Sequence, residues 1–126
     1  MSHYNYVNPN PKEKKVGDCT VRAISLALNQ SWEDTYINLC IEGYMLSDMP
    51  SSNDVWGSYL ISNNWNYHRL QDTCPFCYTI NDFCVDHPTG EYIVGTGTHV
   101  IYIKDGMYND AWDSGDKVPL FYFTKE

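Results

Sequence analysis

The chain changes character at Pro88 and Gly90, and that change constrains its fold more than any other feature of the sequence. Before it, apolar residues recur at helical spacing; after it come β-branched and aromatic runs cut by Gly and Asp. From Cys19, the positions Val21, Ile24, Leu26, Ala27 and Leu28 predict a largely buried helix with Asp18 as its N-cap. Ser31 and the acidic pair Glu33-Asp34 open a second helix, with Trp32, Tyr36, Leu39 and Cys40 along one face and Gly43 as its stop. Beyond Pro50, Ser51 or Ser52 caps a third, running through Val55, Trp56, Tyr59, Leu60 and Ile61 to Asn63-Asn64. Thr79-Ile80-Asn81-Asp82 has the pattern of a capping box for a short helix stopped by Pro88.

The runs Tyr92-Ile93-Val94, Thr98 to Ile103, Met107 to Trp112 and Val118 to Phe123 predict strands. Residues 1–16 read as an irregular or strand-like lead-in, and residues 66–70 as a loop or short extended piece. Helices first and an antiparallel sheet last is an α+β order, expected to form a single domain over residues 1–126.

Charge narrows the partners. Sixteen acidic against eight basic side chains give a net charge of −8. Such a balance repels phosphate backbones and anionic lipid, so neither nucleic acid nor membrane is the expected partner. No basic N-terminal run leads into an apolar stretch and no segment has spanning length, which predicts a cytoplasmic setting. The five cysteines, with no secretion signal, are expected as reduced thiols and not as a disulfide framework.

One of these thiols is placed for chemistry. Cys19 sits where a loop becomes a helix, and the partial positive charge and unpaired N–H groups of a helix N-terminus favour a thiolate. His99 opens a strongly β-forming run that turns at Asp105-Gly106. A two-residue turn pairs Lys104 with Met107, sets His99 opposite Trp112, and puts Tyr108 and Asp110 on its face; a three-residue turn reverses the parity. The groups able to orient the imidazole are therefore Asp110, then Asn109, then Asp113. A nucleophile, a base and an orienter are the roles a cysteine hydrolase needs, and the Cys19 backbone N–H is a first oxyanion donor. Singly, Cys19 could equally be a small buried hydrophobe and His99 a satisfied strand histidine.

Taken together, Gly17-Asp18-Cys19-Thr20-Val21-Arg22-Ala23-Ile24, the Trp32-x-x-x-Tyr36 helix, Gly97-Thr98-His99-Val100, and Asp105-Gly106 with Asp110-Ala111-Trp112-Asp113-Ser114 resemble the small papain-like cysteine peptidases of phages and bacteria. They are more distantly similar to the bacteriocin-leader-processing peptidases, in which an Asp-Cys pair likewise opens the central helix. The resemblance implies a papain-like fold, with N-terminal helices packed on a C-terminal sheet and the nucleophile at the start of the first helix. It implies Cys19 as nucleophile, His99 as base, Asp110 as orienter, a peptide or protein substrate, and no cofactor. At the position six residues before the cysteine, where that family carries an oxyanion-donating glutamine, this chain has Glu13; Asn10 or Asn8 is the substitute amide. A catalytically inactive papain-like domain that binds a protein is the alternative.

Other features compete. Cys74, Cys77, Cys84 and His87 give a C-x2-C-x6-C-x2-H pattern of potential zinc ligands. Cys84 and His87 also fit the apolar helix face of Ile80 and Phe83, and no metal is expected. Asp105, Asp110, Asp113 and Asp116 lack the alternation of a calcium loop and read as surface turn carboxylates. Arg22 is spaced to pair with Asp18. Residues 44–72, with Trp56, Trp65 and Tyr67, are the expected substrate groove.

Overall fold

The computed structural model describes residues 2–125. Its elements in chain order are β1 (Tyr4–Tyr6), α1 (Cys19–Leu28), α2 (Trp32–Leu46), α3 (Asn53–Ser62), β2 (Trp65–Arg69), α4 (Ile80–Asp86), β3 (Glu91–Gly95), β4 (Val100–Lys104), β5 (Met107–Asp110) and β6 (Phe121–Lys125). The four helices pack on one six-stranded sheet of order β1-β5-β4-β3-β6-β2, a mixed α+β arrangement.

Strand alternation divides the apolar residues between two cores. Val100 and Tyr102 of β4 join Ile93, Phe123 and Trp65 beneath α1, α2 and α3, which contribute Ile24, Leu39, Trp56 and Leu60 among others. Their neighbours Ile101 and Ile103 face the opposite way, with Val94 and Tyr108, and are covered by Ile80, Phe83 and Cys84 of α4. With both faces covered, β4 is buried from Val100 through Ile103. This explains why its sequence reads as continuous apolar character and not as alternation.

The local signals act as their chemistry dictates. The Ser31 hydroxyl accepts from the Asp34 backbone N–H, and Thr79 and Asp82 form a complete capping box at α4. Asp105 and Gly106 both have positive φ, at 50° and 77°. That is the conformation a two-residue hairpin of matched twist needs, and it sets Lys104 opposite Met107.

Four expectations are corrected. The sheet is neither wholly C-terminal nor wholly antiparallel, because β1 pairs in parallel with β5 and β2 lies between α3 and α4. Gly43 does not stop α2, which continues to Leu46 and is capped by Ser47 in the left-handed conformation. Gly43 is there for contact: a Cβ would meet the Asp48 carbonyl oxygen at 2.7 Å. Trp56 and Trp65 cannot wall a groove, being 0% and 2% exposed. Finally, Cys74 and Cys77 are joined as a disulfide, in a turn where the Phe76 N–H donates to the Thr73 carbonyl and the two Cα atoms are 4.2 Å apart. Cys19, Cys40 and Cys84 remain as free thiols.

Candidate active site

Cys19 is the first residue of α1, so its N–H has no acceptor within the helix. The Asp18 carboxylate does not cap this helix as expected. Instead it accepts from the Arg22 guanidinium, from Asn10 Nδ2 at 3.1 Å and from Trp32 Nε1 at 3.0 Å. Stronger charged and indole donors have taken the carboxylate that the helix N–H groups would otherwise use. Asp18 thereby ties the lead-in segment, α1 and α2 together beside the thiol.

His99 lies in the short connection between β3 and β4. The Thr96 hydroxyl accepts from the His99 N–H at 3.0 Å, and the Thr96 N–H donates to the His99 carbonyl at 2.8 Å. This closed turn fixes the histidine backbone, and nothing in the spacing of the sequence marks Thr96 for that task. The imidazole Nε2 is 2.6 Å from Asp110 Oδ2. That bond leaves Nδ1 as the ring nitrogen available to the thiol. The Trp112 ring packs against the imidazole at 4.5 Å between centroids, tilted by 36°, as the hairpin register predicts.

Asp110 is buried and fully engaged, so it is no surface turn carboxylate. Oδ2 also accepts from the Ser114 hydroxyl at 2.6 Å; Oδ1 accepts from the Ala111 N–H at 2.8 Å and faces Arg22 Nη2 at 3.3 Å. Arg22 therefore joins two carboxylates, of which the sequence spacing pointed only to Asp18. The other two candidate orienters are occupied elsewhere. Asp113 accepts from the Tyr108 hydroxyl, and Asn109 bonds Asn5 and the carbonyls of Tyr102 and Met107.

These contacts outweigh burial. Burial alone would raise the Cys19 thiol, but its hydrogen bond to His99, the His99 and Arg22 charges and the Val100 backbone bring it below the ordinary value of 9.0. Burial likewise opposes the charged imidazole, yet hydrogen bonding and charge from Asp110 and Cys19 raise His99 to about 9. Asp110, which burial would raise, is held below its ordinary range by His99, Ser114 and Ala111. The three residues thus favour a thiolate–imidazolium pair backed by a carboxylate.

The cleft over Cys19 has a volume of about 260 Å³ and is walled by Gly17, Thr20, Ser51, Asn53 and the 96–100 connection. The substitute oxyanion amides do not line it. Asn10 is held by Asp18, and Asn8 Nδ2 donates to the Lys14 carbonyl at 3.4 Å. Asn53, at the start of α3, does line the cleft. Its Oδ1 accepts from Trp56 Nε1 at 3.0 Å, which leaves the side-chain NH2 as a free donor. No sequence pattern singles it out, because only the fold brings the start of α3 to the cleft over Cys19.

The zinc pattern is dispersed. Cys74 and Cys77 are bonded to each other, Cys84 is buried under the sheet, and His87 Nδ1 pairs with the Phe83 carbonyl at 2.9 Å. Among the described residues, no group of three or more His, Cys, Asp and Glu is arranged to hold a metal ion. Among them, too, no helix is long and apolar enough to cross a membrane. No protein-family model, curated protein or solved structure significantly matches the chain.

Proposed function

We propose that this chain is a papain-like cysteine peptidase, a thiol hydrolase acting on a peptide or isopeptide bond. The observation that carries the reading is that Cys19 and His99 line one cleft, with the His99 ring bonded at 2.6 Å to buried Asp110; the lowered thiol supports it. The helical segment opening on a cysteine and the later hairpin carrying histidine and aspartate follow the order of that family.

The reaction follows from the charges. The Cys19 thiolate attacks the carbonyl carbon, and the negative charge moves to the carbonyl oxygen. The Cys19 N–H and the Asn53 amide receive that oxyanion. As the C–N bond breaks, the His99 imidazolium gives its proton to the leaving amine, leaving an acyl thioester on Cys19. His99 then takes a proton from water, whose oxygen attacks the thioester; the acid departs and the thiolate and imidazolium are restored. Asp110 keeps Nε2 engaged, so that Nδ1 is the nitrogen that shuttles the proton.

Incubation with a broad mixture of unlabelled peptides tests this by mass spectrometry. New termini produced by the wild type and absent with Cys19→Ala and with His99→Ala are expected. Cleavage that survives Cys19→Ala contradicts the reading, and no cleavage together with retained peptide binding favours the inactive binding domain.

A further inference from the structure

The cleft over Cys19 does not end at its own walls. A second, larger groove of about 550 Å³ lies on the other side of the Gly17–Thr20 backbone and shares Gly17, Thr20 and Ser51 with the cleft. Its floor and sides are apolar: Val21 of α1, Trp32, Tyr36 and Leu39 of α2, and Pro50 beyond. Trp32 and Tyr36 stack at 5.1 Å, making a continuous aromatic wall. The only ionisable residues along it besides Cys40 and Tyr36 are Lys12, Lys14 and Asp18. Asp18 is buried and turned to Arg22, Asn10 and Trp32, and among the described residues Lys12 and Lys14 form no ion pair, so the rim presents two ammonium groups in a chain of net charge −8.

Gly17 is the gap between the two cavities. A Cβ built there meets nothing within 4 Å, so the space above its backbone is open to a ligand chain passing from groove to cleft. An extended peptide crossing Gly17 would hold its scissile carbonyl over Cys19 and its adjoining residues in the groove. A concave apolar site with a few placed charges is the form a specificity pocket takes.

We propose that this groove is the specificity subsite, taking a peptide segment with a bulky apolar or aromatic side chain beside the scissile bond and an acidic side chain next to it. The apolar side chain lies against Val21 and the Trp32–Tyr36 wall, and the carboxylate pairs with Lys12 and Lys14 at the rim. Describing the occupant as a substrate rests on the cysteine-hydrolase reading; the groove's preference for these side chains does not.

Binding is measured on the full chain carrying Cys19→Ala, by amide and indole nitrogen–proton chemical shifts. The probes are N-acetylated hexapeptide amides, Gly-Gly-Phe-Glu-Gly-Gly and Gly-Gly-Glu-Phe-Gly-Gly, with Phe→Ala and Glu→Lys controls. One of the two orders is expected to shift Gly17, Thr20, Val21 and the Trp32 indole together. The Ala and Lys controls should bind about tenfold more weakly, and Lys12→Glu with Lys14→Glu should reverse the preference between Glu and Lys. Alkylating Cys40 with a bulky maleimide should block the same shifts, since that thiol lines the groove. Shifts elsewhere, equal binding of the Lys control, or the same shifts from self-association without peptide would overturn the proposal. If the peptides fail to bind while Cys19 of the wild type is activated by His99, the groove assignment fails and the hydrolase reading stands. If they bind in the groove while Cys19 is inert, the reverse holds.

Discussion

Two cysteines on opposite faces of the same sheet show what environment does to one functional group. Cys84 lies in α4, packed with Ile80, Phe83 and Ile101, and burial pushes its thiol up to about 11. Cys19 is partly buried, yet its thiol is drawn below 9.0. The difference lies in the partners. Cys84 meets apolar side chains that cannot stabilise a negative charge; Cys19 meets an imidazole whose own charge is held by a buried carboxylate. Burial next to a charge partner activates a thiol, and burial without one silences it.

Removing the carboxylate should erase most of that contrast. Asp110→Asn keeps the shape but loses the charge that raises His99, and the amide can present its NH2 to Nε2 and so favour the wrong tautomer. A fall in kcat/KM of about 10²–10⁴-fold is expected in steady-state cleavage assays, with the Cys19 thiol moving toward that of Cys84. Next in size is Arg22→Met, which leaves Asp18 and Asp110 buried without their cation. Stability should fall by about 3–5 kcal/mol, read from denaturant unfolding followed by far-ultraviolet circular dichroism. Asn53→Ala should spare the thiol titration but lower kcat by about 10²-fold, because the oxyanion loses its side-chain donor. If Asn53→Ala instead leaves kcat unchanged, another donor completes the oxyanion site.

The same charges make stability depend on pH with opposite signs. His99 rises from 6.5 to about 9 on folding, so its contribution is fully present below about pH 6.5 and is lost as pH rises through about 9. Asp110 is lowered from 3.8, so its contribution is present above that value and disappears as pH falls below it.

How much of this was legible in the sequence depended on the range of the interaction. The starts of α2 and α4 follow from Ser31 and Thr79 within one turn, and the register of β4 and β5 follows from Asp105-Gly106. That register was enough to rank Asp110 first beside His99. Contacts between elements distant in the chain were not legible. Arg22 reaches Asp110 across 88 positions, Asn53 comes to the cleft only when α3 packs against α2 and β2, and β1 finds β5 as a parallel edge partner. The position of Asp18 indicates a local cap, but Arg22, Asn10 and Trp32 are the donors that its carboxylate meets in the fold. The Cys74–Cys77 bridge is not legible in the sequence because composition indicates redox setting only on average, whereas the turn at residues 73–77 brings those two thiols together.

On the proposed reading, His99 and Asp110 turn a partly buried thiol into a nucleophile. The direct test is the rate of iodoacetamide alkylation of Cys19, Cys40 and Cys84 as a function of pH, resolved by peptide mass spectrometry in the wild type and in His99→Ala. Cys19 should be alkylated fastest at neutral pH, with a midpoint below 9.0 that moves upward in His99→Ala, while Cys84 reacts slowest in both proteins. A Cys19 midpoint at or above 9.0, or one that His99→Ala leaves unmoved, would contradict the account.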